Sequence, residues 1–179
     1  GNLAGVKYLI ERSKERAKQK KSEKHLLDTK ARTALSNQRN TALHWAARNN
    51  HLSIVEALTE YDPALVDMPQ LDEYRYTPLQ FAVSEGHTRI VQYFLPKCGI
   101  NTLLHKNHKG KTAFEMAVDK GNVESALLIF NYLKNNESKL MQWFFANFNA
   151  CNAEKYNGRL AMIGIITGVG DYSILVRSF

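Results

Sequence analysis

The chain has 179 residues, enough to bury a sizeable core, and its net charge of +7 is unevenly placed. Residues 1–35 hold ten Lys/Arg against four Asp/Glu, so basicity belongs to the N-terminal segment and is not a property of the rest of the chain. Two cysteines, Cys98 and Cys151, are too few for a disulfide framework and suit a reduced intracellular setting. No apolar run reaches the roughly 18 residues of a membrane span, and the start of the chain has no secretory signal pattern.

Residues 1–12 open with Gly1-Asn2 and continue as a helical apolar run through Leu3, Val6, Leu9 and Ile10. Gly121-Asn122, followed by Val123 to Leu128, has the same form. The N-terminus therefore reads as the second half of a repeated unit in a longer protein. Alternatively, Gly1 is a remnant of expression and the likeness is chance. From Glu11 to Lys24 the segment is highly charged, and Glu11 and Lys14 can pair across one helical turn. Leu26, Leu27 and Ala31 offer a small apolar patch that can dock back. Lys14, Lys18, Lys20, Lys21 and Lys24 are candidate contacts for phosphate or acidic lipid. The competing reading is a solvated helix end. No aromatic residues interleave these lysines, as single-stranded nucleic-acid binding requires.

A pattern then recurs. Asn40-Thr41-Ala42-Leu43-His44-Trp45-Ala46-Ala47 returns as Thr77-Pro78-Leu79-Gln80-Phe81-Ala82-Val83 and as Thr112-Ala113-Phe114-Glu115-Met116-Ala117-Val118. The three threonines stand 36 and 35 residues apart. Nine residues after each comes a second landmark: Asn50-His51, Gly86-His87 and Gly121-Asn122. An apolar run follows: Leu52, Ile54, Val55 and Leu58; Ile90, Val91, Phe94 and Leu95; Val123, Ala126, Leu127 and Phe130. Each copy thus predicts a short helix, a tight turn and a second helix. Pro78 fits a first helical turn, where its missing N–H costs nothing. Gly86 and Gly121 fall where a chain leaving a helix takes positive φ. The alanines allow close helix packing.

The two-landmark pattern resembles the ankyrin repeat, whose signature is Thr-Pro-Leu-His followed by Ala and later Gly-His. The resemblance implies an all-α solenoid of stacked helix-turn-helix units with extra flanking helices. Residues 1–35 form a basic helical segment, 36–135 three repeats, and 136–179 an added helix with a divergent capping repeat. Gln80 and Glu115 stand where the family has the His that His44 supplies, and Asn50 replaces the turn Gly. Asn107-His108-Lys109-Gly110 matches the family's turn before a unit, whereas Ser36-Asn37-Gln38-Arg39 lacks its Gly.

Between units, Tyr61 to Pro69 and Pro96 to Asn101 read as loops, with Gly99 a helix stop. Leu65, Val66 and Ile100 are expected to plug the seam between units. Beyond the repeats, Leu140, Met141, Phe144, Phe145 and Phe148 give residues 137–148 an apolar face, with Trp143 near its edge. Residues 157–179 read as the degenerate cap, with Leu160 in the Thr place. Leu160 to Val169 is alternatively a strand or a lipid-facing segment too short to span.

The resemblance also implies where function sits: the row of inter-unit turns and the ends of the first helices, which in ankyrin-like proteins bind another protein. By register these are Asn37, Gln38, Asn40, Arg48 and Asn49; Glu73, Tyr74, Tyr76, Ser84 and Glu85; and His108, Lys109, Lys111, Asp119 and Lys120. Tyr74 and Tyr76 lead the set, because tyrosine gives large amphipathic contact at low entropic cost. For each residue alone, a plain solvent-exposed turn is the competing reading. The row changes from acidic in the middle unit to basic in the last, which fits a mixed protein surface and not naked nucleic acid.

His44 is expected to tie adjacent turns together through backbone and the Thr hydroxyl, and His51 and His87 to be structural as well. Trp45 and Phe81 are expected to pack within or beside the stack. His105, His108 and Cys98 lack the paired spacing of a zinc site. Cys151 shows no nucleophile elbow or adjacent base, and no Gly-rich phosphate loop is present. No catalytic residue, metal or cofactor is assigned. The expected function is a monomeric, intracellular protein-interaction module of a scaffold or effector, acting in the cytoplasm or in a host cell's cytoplasm. At most it touches a membrane weakly at the periphery. The alternatives are a substrate-recruiting domain of a larger enzyme and an acidic-lipid or phosphate binder.

Overall fold

Each recurring threonine stands immediately before a helix in a computed structural model that describes residues 1–18, 40–71 and 73–136. Side chains of 16–18 and 134–136 are not among those described. Expectations placed on Asn37, Gln38, Lys20, Lys21, Lys24, Leu26, Leu27, Ala31, Cys151 and residues 137–179 lie outside the described residues, as does the side chain of Lys18.

The helices are α1 (Leu3–Lys18), α2 (Ala42–Arg48), α3 (Leu52–Tyr61), α4 (Pro78–Ser84), α5 (Thr88–Phe94), α6 (Ile100–Leu103), α7 (Ala113–Lys120) and α8 (Val123–Asn136). No strand occurs among the described residues. The fold is all-α, made of ankyrin-like helix pairs. The chain separates into two compact units, Gly1–Ala113 and Phe114–Phe179.

In the first unit, α2 turns back into α3 and α4 into α5, and the pairs stack. The first helices pack on one another, α2 on α4, while α1 packs on α3 and α3 on α5. The turns between paired helices take the left-handed backbone that reverses the chain. Gly86 has φ 74°, and Asn50, in the glycine place, has φ 59°. The residue after each turn glycine or asparagine is a histidine whose N–H returns to the preceding helix, His51 to the Ala46 carbonyl at 3.0 Å and His87 to Ala82 at 2.8 Å.

The apolar positions face inward as the period requires. Leu43, Val55, Leu79, Val83, Ile90, Val91 and Phe94 are wholly buried. Each contributes about 1.5–3 kcal/mol relative to exposure. The α1–α3–α5 row also carries buried hydroxyls that reach across it. Ser13 on α1 bonds the Tyr61 hydroxyl at 2.6 Å, and Thr59 on α3 bonds the Tyr93 hydroxyl at 2.7 Å.

The connections differ from the expected loops. Pro63–Asp67 is a 3₁₀ turn, entered with the Asp62 carboxylate accepting from the Ala64 N–H at 3.2 Å. It buries Leu65 and Val66, the seam plug expected of them. Ile100 does not share that role: it begins α6 and is 43% exposed. Gly99 is no helix stop either, because it precedes α6 as its N-cap with extended backbone. Asp67 explains the change. Its carboxylate accepts from the Gly99 N–H at 3.0 Å and from the Thr102 hydroxyl at 2.5 Å, satisfying two donors at the start of α6.

In the second unit, Gly121 (φ 71°) turns α7 into α8, and the Asn122 N–H bonds the Ala117 carbonyl at 2.9 Å. The buried face of α8 is Ala126, Ile129, Phe130 and Leu133. Val123, 41% exposed, and half-buried Leu127 lie off the face they were expected to share. The stripe is rotated because it is set by 126, 129, 130 and 133, one turn further along.

Candidate functional site

The surface turns are held by side chains inside the stack. His44 is buried, and its Nδ1 accepts from the Thr41 N–H at 3.1 Å while lying 2.7 Å from the Thr41 hydroxyl. With Nδ1 an acceptor, Nε2 carries the ring proton and donates to the Tyr76 carbonyl at 3.2 Å. Gln80 performs the same task one unit later. Its Oε1 accepts from the Thr77 N–H at 3.2 Å, and its Nε2 donates to the Lys111 carbonyl at 3.2 Å and the His105 carbonyl at 2.8 Å. Tyr76 and Lys111 each directly precede a repeat threonine, so the two bonds are equivalent. His87 closes the opposite end of the helices, where its Nε2 lies 2.9 Å from the Arg48 carbonyl. These histidines are structural, as their motif positions imply.

Asn40 corrects the expected row. It is 1% exposed, and its side-chain oxygen accepts from Gln70 Nε2. Gln70 Oε1 in turn accepts from the Tyr76 N–H at 3.1 Å, so Asn40 anchors the turn from beneath and does not point outward. A polar residue just before the threonine is legible in sequence; its inward turn depends on Gln70, thirty residues away.

The middle turn projects from this base. Arg75, between Tyr74 and Tyr76, takes positive φ, 53°. Tyr74 is 41% exposed and Tyr76 half-buried. Tyr74 meets His108 edge-on at 5.0 Å between ring centroids, and Tyr76 lies 5.3 Å from Phe81 and 5.9 Å from His108. The His108 N–H donates to the Tyr74 carbonyl at 3.1 Å, and His105 Nε2 lies 2.7 Å from the Arg75 carbonyl. Two successive turns are thereby joined. Burial raises the Tyr76 phenol above its ordinary value.

Opposite these rings stand the ends of the first helices. Arg48 Cζ lies 5.7 Å from the ring centres of both Trp45 and Phe81. Between turn and helix ends runs an open groove of about 200 Å³, lined by Arg48, Gln70, Tyr74, Tyr76, Phe81, Ser84 and Glu85. Of the expected row, Arg48, Tyr74, Tyr76, Ser84 and Glu85 come together there. Gln70 and Phe81 also line the groove although neither belongs to the expected row; Phe81 packs within the stack as expected, 9% exposed, and still reaches the groove.

The rest of the row is placed elsewhere. Asn49 is exposed, and its side chain donates to the Trp45 carbonyl at 2.8 Å. Glu73, His108 and Lys109 are exposed and Lys111 is half-buried. In the second unit Asp119 is half-buried and Lys120 exposed. On α1, Lys14 is exposed and pairs with Glu11 at 4.0 Å, the expected one-turn pair.

Among the described residues, no group of three His, Cys, Asp or Glu side chains is arranged to hold a metal ion, and no helix is long and apolar enough to cross a membrane. Burial, reinforced by the Asp67 carboxylate, pushes the Cys98 thiol well above its ordinary range. That makes it a poor nucleophile at neutral pH.

Residues 43–95 match the family profile described as ankyrin repeats (many copies). The match supports assignment to the ankyrin-repeat family. Curated proteins align with parts of the chain at low identity. Palmitoyltransferase AKR1 of Debaryomyces hansenii is 33% identical over 44% of this chain and 9% of its own length. Probable E3 ubiquitin-protein ligase XBOS32 of Oryza sativa subsp. japonica is 35% identical over 48% of this chain and 17% of its own. Probable E3 ubiquitin-protein ligase XBOS31 of the same plant is 30% identical over 66% of this chain and 26% of its own. The chain therefore spans about a quarter or less of the curated relatives it matches.

Proposed function

We propose that this chain is a non-enzymatic protein-interaction module of three ankyrin-type repeats that seats a partner protein in the groove between the Tyr74–Tyr76 turn and the ends of α2 and α4. The observation that carries the reading is the groove itself: Tyr74, Tyr76 and Phe81 line it together with two opposite charges, Arg48 and Glu85. Aromatic side chains in such a recess supply contact area at low entropic cost, and the charges set orientation and selectivity. The module works as a monomer inside a cell, as part of a scaffold or effector.

Affinity capture at moderate salt, with wild type beside a Tyr74→Ala/Tyr76→Ala variant of unchanged circular dichroism, tests the proposal. A purified partner should bind wild type and lose about tenfold or more in affinity to the variant. Equal binding by the two proteins would remove the groove from the interaction.

A second reading has its own support. The matched curated relatives are named as enzymes, and this chain spans only 9–26% of them. The module then recruits substrate to a catalytic part elsewhere in a longer protein. In that case the partner captured by the groove is modified by the full-length protein, and a Tyr74/Tyr76 variant of that protein loses the modification while its activity on a generic substrate persists.

A further inference from the structure

Resting on the groove reading above, we propose that the occupant is a partner segment carrying an Asp or Glu side chain, received by the guanidinium of Arg48. Three observations bear on this. First, Arg48 is fixed in place. It is half-buried, and its Cζ lies 5.7 Å from the ring centres of both Trp45 and Phe81. A guanidinium carried on ring faces keeps its in-plane N–H donors available, and that planar fork matches a carboxylate with two parallel hydrogen bonds.

Second, among the described residues no carboxylate lies within ion-pair distance of Arg48. Its own backbone carbonyl is taken by His87, which fixes the helix end beneath it. The side chain arrives in the groove already oriented and without a partner charge among those residues.

Third, the groove's own carboxylate does not offset it. Glu85 is exposed on the following helix end and so is screened by water. Arg48, half-buried beside Trp45 and Phe81, sits where water is partly displaced and its charge counts for more. An acidic side chain on Arg48 thus leaves Tyr74, Tyr76 and Phe81 to contact neighbouring apolar residues of the same segment. A cationic segment would place its charge against Arg48.

The test uses a phage-displayed library of random linear peptides joined to the phage through their C-termini, so that only side-chain carboxylates are offered. It is selected on the full chain. Enriched peptides should carry an Asp or Glu beside an aromatic or aliphatic residue. A synthetic copy with its acid changed to Asn or Gln should bind wild type about tenfold more weakly. The same change should have little effect on binding to Arg48→Gln, because the two substitutions remove one interaction. The peptide substitution leaves the protein untouched, so a folding defect in Arg48→Gln cannot produce that result.

Enriched peptides that lose binding to Tyr74→Ala/Tyr76→Ala but show no acidic preference would overturn this proposal and leave the groove reading standing. Peptides enriched for Lys or Arg would do the same and shift the anchor to Glu85. Absence of enrichment, or binding indifferent to the tyrosine substitutions, would overturn both.

Discussion

Gln80 donates to the carbonyl of Lys111 across 31 residues of sequence, at 3.2 Å, the same distance at which His44 reaches the Tyr76 carbonyl. An amide does here what an imidazole does one unit earlier. Both side chains accept from a threonine N–H at one end and donate to the next turn at the other. The amide has two N–H groups and spends the second on the His105 carbonyl. Gln80→Ala would leave the Thr77 N–H and two carbonyls without these partners at a wholly buried position. The Lys111 carbonyl keeps the Asn107 N–H at 3.0 Å, so the expected loss is about 2–4 kcal/mol, at roughly 1–3 kcal/mol for each buried group that loses its partner. Gln80→His keeps one acceptor and one donor, and should cost clearly less than Gln80→Ala. Urea unfolding of the three proteins, followed by circular dichroism, gives the order.

That equivalence marks what the sequence made legible. The Thr register, the paired helices and the inward apolar positions could be read because local period and cap chemistry determine them. His44 was assigned to its structural bond from its motif alone. Asn40 was misplaced because its partner, Gln70, belongs to a connection with no repeating pattern. The same blindness applied to Gly99, whose role depends on the Asp67 carboxylate from a different connection. The groove was half legible. Register puts Arg48, Tyr74, Tyr76, Ser84 and Glu85 on the surface row, but it places Phe81 within or beside the stack and does not assign Gln70. A residue that serves both core and groove carries only the core signal in its sequence.

Asp67 links two connections, and its loss should be felt in α6. Asp67→Ala removes the acceptor for the Gly99 N–H and the Thr102 hydroxyl, a cap-like arrangement. The expected cost is about 1–2 kcal/mol. Hydrogen exchange should rise at the amides of α6 more than at those of α2 and α4. Uniform change across the three helices would mean that Asp67 contributes only to global stability.

Cys98 should be slow to alkylate. Its thiol is held above the ordinary range first by burial and second by the Asp67 carboxylate, and both disfavour the thiolate. At about pH 8.5 half of an unperturbed thiol is ionised. There the Cys98 peptide, followed by mass spectrometry after iodoacetamide, should react at least about tenfold more slowly than glutathione. The rate should keep rising as pH is taken above the usual thiol range. Asp67→Asn removes the smaller cause and should speed alkylation only in part.

The buried hydroxyl pairs along α1, α3 and α5 should be energetically coupled. Ser13→Ala leaves the Tyr61 hydroxyl without this partner, and Tyr61→Phe leaves Ser13 so. A double-mutant cycle over the pair is expected to give about 0.5–1.5 kcal/mol, the net value of one such hydrogen bond. Thr59–Tyr93 should give less, since Thr59 keeps its bond to the Val55 carbonyl at 2.9 Å when Tyr93 is removed. Equal coupling in the two cycles would show that the back-bond to Val55 does not compensate.

Asn50 occupies a turn that the second and third copies give to glycine. Its φ of 59° is left-handed, a region where a Cβ costs about 1–2 kcal/mol and where asparagine is among the better-tolerated side chains. Asn50→Ala keeps the Cβ and gives up the local hydrogen bonding that lets asparagine accept this backbone, so it should destabilise by about 1 kcal/mol. Asn50→Gly removes the Cβ strain but frees the unfolded chain, and these oppose each other within roughly 0.5 kcal/mol. The order of thermal midpoints should therefore be Asn50→Ala lowest, with wild type and Asn50→Gly close together. Were Asn50→Ala to match wild type, the turn would have moved out of the left-handed region, and the His51 N–H bond to Ala46 that closes it should then lose its protection from exchange.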